Sequence, residues 1–155
     1  MDVPGGGRSV CRAFYSGPMS VDPREGLERL RRLARSGELD ALCERRGIVL
    51  LSVFGSATRP EGQPADLDVA MAFDRAADPD LVGLTNELIE VTGVEALDLM
   101  DLRRAGHIAR ERALVGAVGL FEAAPGGFAR AQMAAATSRM DTDWLRRLDL
   151  KLMAG

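Results

Sequence analysis

Two short apolar runs limit most strongly what this chain can fold into. IVLLSVF at residues 48–54 and LDVAMAF at 67–73 are apolar and β-branched enough to be buried strands. Beyond Gly55, the segment joining them is a polar loop with two prolines and a glycine. Parallel neighbours need a long crossover, usually a helix, and none fits here. The two runs are therefore predicted to pair as a hairpin-like or antiparallel unit, which argues against a purely parallel doubly wound sheet.

Helical spacing surrounds this pair. Leu27, Leu30 and Leu33, then Leu39 and Leu42, predict one or two amphipathic helices. Asp22 before Pro23 supplies a start signal and Gly47 a stop. Leu81, Leu84, Leu88 and Ile89 predict a helix over 78–91 behind Asp78 and Pro79, ended by Gly93. A strand is predicted at 94–102, a short helix at 106–115, a strand at 118–122 and a long helix at 128–153. The last of these presents Trp144, Leu145, Leu148 and Leu152 as an apolar face. The expected fold class is α+β (mixed α/β): a small mixed sheet of about four strands packed by helices, with a C-terminal helix. One domain over residues 21–155 suits a chain of 155 residues.

Residues 1–20 lack a continuous apolar stretch and read as a disordered tail rather than a secretory signal. The expected setting is cytoplasmic, with Cys11 and Cys43 as free thiols. No run approaches the roughly 18 apolar residues of a membrane span, so no membrane association is expected. A net charge of −3 argues against a protein whose main business is direct nucleic-acid binding. Only Lys151 among the 20 basic residues is a lysine, a composition bias more than a functional signal.

The chemistry concentrates at GSATRPEGQPADLD, residues 55–68. Asp66 and Asp68 stand two apart at a strand start, so both carboxylates project from one face, while Leu67 and Val69 anchor the other. Hard oxygen ligands of this kind suit Mg²⁺, although D-x-D alone also describes a solvated strand start. At the end of the preceding strand, Gly55 lets backbone approach a ligand and Ser56 offers a hydroxyl. If a helical turn opens there, its free N–H groups form a phosphate cradle, though G-S after a strand is also an ordinary turn. Asp98 lies within ALDLM, where a strand is expected to be surrounded by core. A carboxylate there needs a partner, either a shared metal or an arginine, unless it sits at an exposed edge. Glu95 and Asp101 are out of phase with it and are predicted to point to the other face. His107, the single histidine, is expected to cap or pack at the Gly106 helix start.

G-S, nine residues, D-x-D and a third aspartate on a later strand together resemble the DNA polymerase beta-like nucleotidyltransferase superfamily. Within it, FGSATR at 54–59, Leu97-Asp98-Leu99 and Leu120-Phe121-Glu122 resemble the minimal nucleotidyltransferases (MNT) over roughly residues 25–150. The loop before Asp66 is one residue shorter than is usual in that group. Ala65 stands where a serine is common, and Pro60 follows Arg59. The resemblance implies that Gly55, Ser56 and Arg59 bind the nucleotide, and that Asp66, Asp68 and Asp98 are the catalytic residues and metal ligands of two Mg²⁺ ions. It also implies that ATP is the substrate and that AMP is transferred to a tyrosine of a HEPN-domain toxin, making the chain an antitoxin. Two other readings stay open: a non-catalytic binding antitoxin acting through residues 131–140 and the Trp144 helix, and a small-molecule transferase of the aminoglycoside type.

Overall fold

The computed structural model describes residues 20–153, and the tail expected at 1–20 falls outside it apart from Ser20. The Ser20 hydroxyl accepts a hydrogen bond from the Glu95 amide. Five helices and four strands follow: α1 (Pro23–Ser36), α2 (Glu38–Arg45), β1 (Ile48–Phe54), β2 (Leu67–Phe73), α3 (Leu81–Thr92), β3 (Leu97–Asp101), α4 (His107–Leu114), β4 (Val118–Glu122) and α5 (Gly127–Met153).

The strands make one mixed sheet in the order β3-β2-β1-β4. β1 pairs antiparallel with β2 on one side and with β4 on the other, while β3 lies parallel to β2 after the α3 crossover. The antiparallel β1–β2 pair thus forms as the short linker requires. On one face Leu51, Val53, Val69 and Met71 meet Leu27 and Leu30 of α1, Leu39 and Leu42 of α2, and Leu84 and Leu88 of α3. On the other, Leu50, Ala70 and Leu102 meet Ala113 and Leu114 of α4 and Ala135 of α5. The Ser52 hydroxyl, buried on this second face, donates to the Ala113 carbonyl at 3.1 Å and ties β1 to α4.

Local signals explain most boundaries. Asp22 caps α1 by accepting from the Arg24 amide, and Gly37 ends it in the left-handed conformation. Gly26 lets α1 lie close to the sheet, because a Cβ there would collide with Val94 Cγ2. Cys43 is buried, and burial, aided by Asp40 and Glu44, pushes its thiol up to about 12, so it is an inert free thiol.

Two expectations need correction. α3 starts at Leu81 rather than at residue 78, because Asp80 is the residue whose side chain reaches the Gly83 amide, at 3.0 Å. β3 spans Leu97–Asp101 instead of 94–102, with Val94 turned into the core and the Ala96 carbonyl already accepting from Leu67. On the last helix, Trp144 of the expected apolar face is 61% exposed, and Met133 and Met140, further back along it, are exposed too. Leu145, Leu148 and Leu152 have side chains outside the described set. No described helix is long and apolar enough to cross a membrane.

Candidate active site

β1 runs into a single 3₁₀ turn, Gly55–Thr58, that closes the strand end. Gly55 has φ +77°, and a Cβ there would overlap Asp68 Oδ2, so both its backbone and the neighbouring carboxylate demand glycine. The Arg59 amide donates to the Ser56 carbonyl at 3.2 Å and the Thr58 hydroxyl to the Gly55 carbonyl at 2.8 Å. The predicted turn after the strand therefore forms, with Ser56 half-buried at its start. The Arg59 side chain is exposed and, among the described residues, unpaired.

Asp68 sits in register between Phe54 of β1 and Asp98 of β3. Alternation puts Asp68 on the same face as Ala70, and Asp98 on the same face as Met100, both of which pack beneath α4 and α5. Asp66 lies half-buried immediately before β2. The Asp68 carboxyl is held above its ordinary range, first by burial and then by the charges of Asp66 and Asp98. None of the three is paired with a described arginine or lysine. Asp98 is not surrounded by core; it is exposed, because β3 is the edge strand. Asp101 is buried on the opposite side, where it pairs with Arg103, and Glu95 is exposed ahead of the strand.

Beyond the carboxylates, the same face opens into a cavity of about 430 Å³ lined by Phe54, Met100, His107, Ile108, Ala109 and Arg112. Sequence reasoning did not assign these residues to the site. Phe54 and Met100 carried a usable signal, since each is adjacent or two residues away from an assigned position on the same strand. Arg112 carried none. His107 opens α4 but does not cap it: the cap is Gly106, with no side-chain bond.

Among the described residues, no three His, Cys, Asp or Glu side chains converge tightly enough to form a metal site by themselves. The donor set nevertheless fits Mg²⁺. It consists of hard carboxylate oxygens without a cationic partner, and Mg²⁺ takes one or two carboxylates and completes its shell with phosphates and water.

The chain is thus an α+β domain whose small mixed sheet carries Asp68 beside Asp98 of the parallel neighbouring strand, with Asp66 just before β2 and the Gly-Ser turn alongside. The sequence matches no protein-family model and no curated protein. Solved structures share the fold. A chain of the MntA–HepT toxin–antitoxin complex, in a variant with two aspartates changed to glutamate, superposes with a TM-score of 0.59 at 14% identity, covering 77% of this chain and 98% of that one. A chain of the tri-AMPylated Shewanella oneidensis HEPN toxin in complex with MNT antitoxin gives 0.57 at 16% identity, covering 81% and 99%. A toxin–antitoxin structure with AMP-PNP gives 0.56 at 16%, covering 77% and 98%.

Proposed function

We propose that this chain is a Mg²⁺-dependent nucleotidyltransferase that moves AMP from ATP to a tyrosine hydroxyl of a HEPN-type toxin, and thereby acts as an antitoxin in the cytoplasm. The observation that carries the reading is the meeting of Asp68 with Gly55 on one side and Asp98 on the other, which brings a phosphate-type turn to an unpaired carboxylate cluster. The likeness in fold to chains of toxin–antitoxin structures, one with an AMPylated toxin and one with AMP-PNP, supports the donor and the partner.

In this reading the Gly55–Thr58 turn and Arg59 hold the triphosphate, and Asp66 and Asp68, with Asp98, hold the metal. The metal supplies charge neutralisation of the triphosphate and of the leaving pyrophosphate. The acceptor oxygen attacks the α-phosphorus, the bond from that phosphorus to the bridging oxygen breaks, and pyrophosphate departs. Asp98, exposed at the sheet edge, accepts the hydroxyl proton.

A second reading is favoured by one observation: Met133, Met140 and Trp144 are exposed along α5 and could neutralise a partner by contact alone. Labelled ATP and Mg²⁺, incubated with the chain and its candidate toxin, decide between the two. The double variant Asp66→Ala, Asp68→Ala is expected to lower labelling about a thousandfold and to abolish neutralisation. Neutralisation that survives undiminished in that variant assigns the function to binding.

A further inference from the structure

Arg24, in the first turn of α1, reaches across to the loop that leaves the Gly-Ser turn. Its Nε and Nη2 donate to the Arg59 carbonyl at 3.2 and 3.0 Å. Nη2 also lies within bonding distance of the carbonyls of Pro60 (3.3 Å), Glu61 (3.1 Å) and Gly62 (2.6 Å). Four consecutive carbonyls thus converge on one guanidinium, which has no carboxylate partner among the described residues. This is unusual use of a side chain whose planar fork generally serves carboxylates and phosphates.

The loop needs such a partner. Residues 59–64 make almost no regular backbone bonds, Pro60 and Pro64 have no N–H to give, and Gly62, at positive φ, stands in open space. Without an external donor the four carbonyls would turn to water and the loop would sample many conformers. The Arg59 backbone is gripped at both ends, its amide by the Ser56 carbonyl and its carbonyl by Arg24, so fixing this loop also fixes the exit of the Ser56 turn and the direction in which the Arg59 side chain leaves it.

We infer that Arg24 is a positioning residue: by clamping the carbonyls of residues 59–62 it holds the Ser56 turn and Arg59 in place for the triphosphate of the donor. The role in nucleotide binding rests on the nucleotidyltransferase reading; the clamp itself does not.

Two full-length variants test this, Arg24→Ala and Arg24→Lys, the second keeping the charge while losing the fork. Amide hydrogen exchange is followed at Arg59, whose N–H is held by the Ser56 carbonyl, and MgATP affinity is measured alongside kcat and KM for transfer. Both variants are expected to speed exchange at this amide about tenfold or more while β1 and β2 stay protected, which shows that the domain remains folded. MgATP is expected to bind about tenfold more weakly, and KM to rise with it, while kcat at saturation changes less than about threefold. Recovery of near-normal values in Arg24→Lys would leave charge rather than clamping as the cause and overturn the inference. Unchanged exchange in Arg24→Ala overturns it too, as does faster exchange with unaltered MgATP binding. Failure of the unsubstituted protein to bind MgATP sinks the nucleotidyltransferase reading instead, and the exchange measurement then still decides whether the clamp exists.

Discussion

At Asp68 the requirements of the proposed chemistry and of stability oppose each other. Its carboxyl is pushed above the ordinary value of 3.8 by burial and by the charges of Asp66 and Asp98, so the ionised form is disfavoured in the folded protein. Between the ordinary and the raised value the folded state binds more protons than the unfolded one, and stability falls as pH rises through that window. Asp68→Asn removes the repulsion. In metal-free buffer at neutral pH it is expected to melt about 1–3 °C above the unsubstituted protein, with the gap closing below about pH 4, while nucleotide transfer is lost. Differential scanning calorimetry across pH checks both parts; a lower melting temperature at neutral pH would show that Asp68 is stabilising. Gly55-Ser56 is legible as the turn closing an apolar run, and Asp66 and Asp68 as a pair two residues apart at a strand start. Arg24 is not, since its bonds join positions 35 to 38 apart and depend on how α1 is laid against the turn. The exposure of Asp98 was equally hidden, because apolar neighbours on a strand look alike whether the strand is central or at an edge.

Among the elements, strands proved the easiest to read. β1, β2 and β4 coincide with their apolar runs, although only β1 and β2 are buried; β4 is a part-exposed edge strand. Helix ends depended on which of several competing caps wins, as Asp80 does over Asp78 at α3. The seating of α1 carries the clearest consequence. Gly26 faces Val94 Cγ2 and Leu67 Cδ2, so Gly26→Ala, which in an exposed helix gains about 1 kcal/mol from propensity, is here expected to cost about 1–3 kcal/mol through overpacking. Urea denaturation measures it, and a stabilised variant would mean that α1 can shift outward without loss. Between α2 and α3, Glu87 accepts from both Arg45 and Arg46; burial raises its carboxyl, and these two arginines more than reverse that, leaving it below its ordinary value. These ion pairs tether the C-terminal end of α2 to α3, while both helices pack against α1.

For the molecule as a whole, the two layers flanking the sheet are unequal. The layer of α1, α2 and α3 is locked by leucines, isoleucine, valines and phenylalanine, while that of α4 and α5 rests on Leu50, Leu102 and Leu114 with alanines at 70, 113 and 135. Smaller side chains bury less apolar surface, so the second layer is the more weakly held. Its seam is completed by polar links: Ser52 to Ala113, Gln132 to the Leu114 carbonyl at 2.8 Å, and Arg139 to Glu111 at 2.7 Å. The carboxylates and the cavity lined by Phe54, Met100 and Arg112 lie on the face that this layer covers. Heating is therefore expected to open the α4–α5 side as a partial unfolding event before the sheet and the opposite helices give way. Transfer activity would then fade several degrees below the midpoint seen by far-UV circular dichroism, and coincidence of the two curves would show that the layers melt as one. The proposed transferase would then carry its own thermal fuse: warmth would silence the chemistry while most of the domain survives, and cooling would restore it without refolding from the beginning.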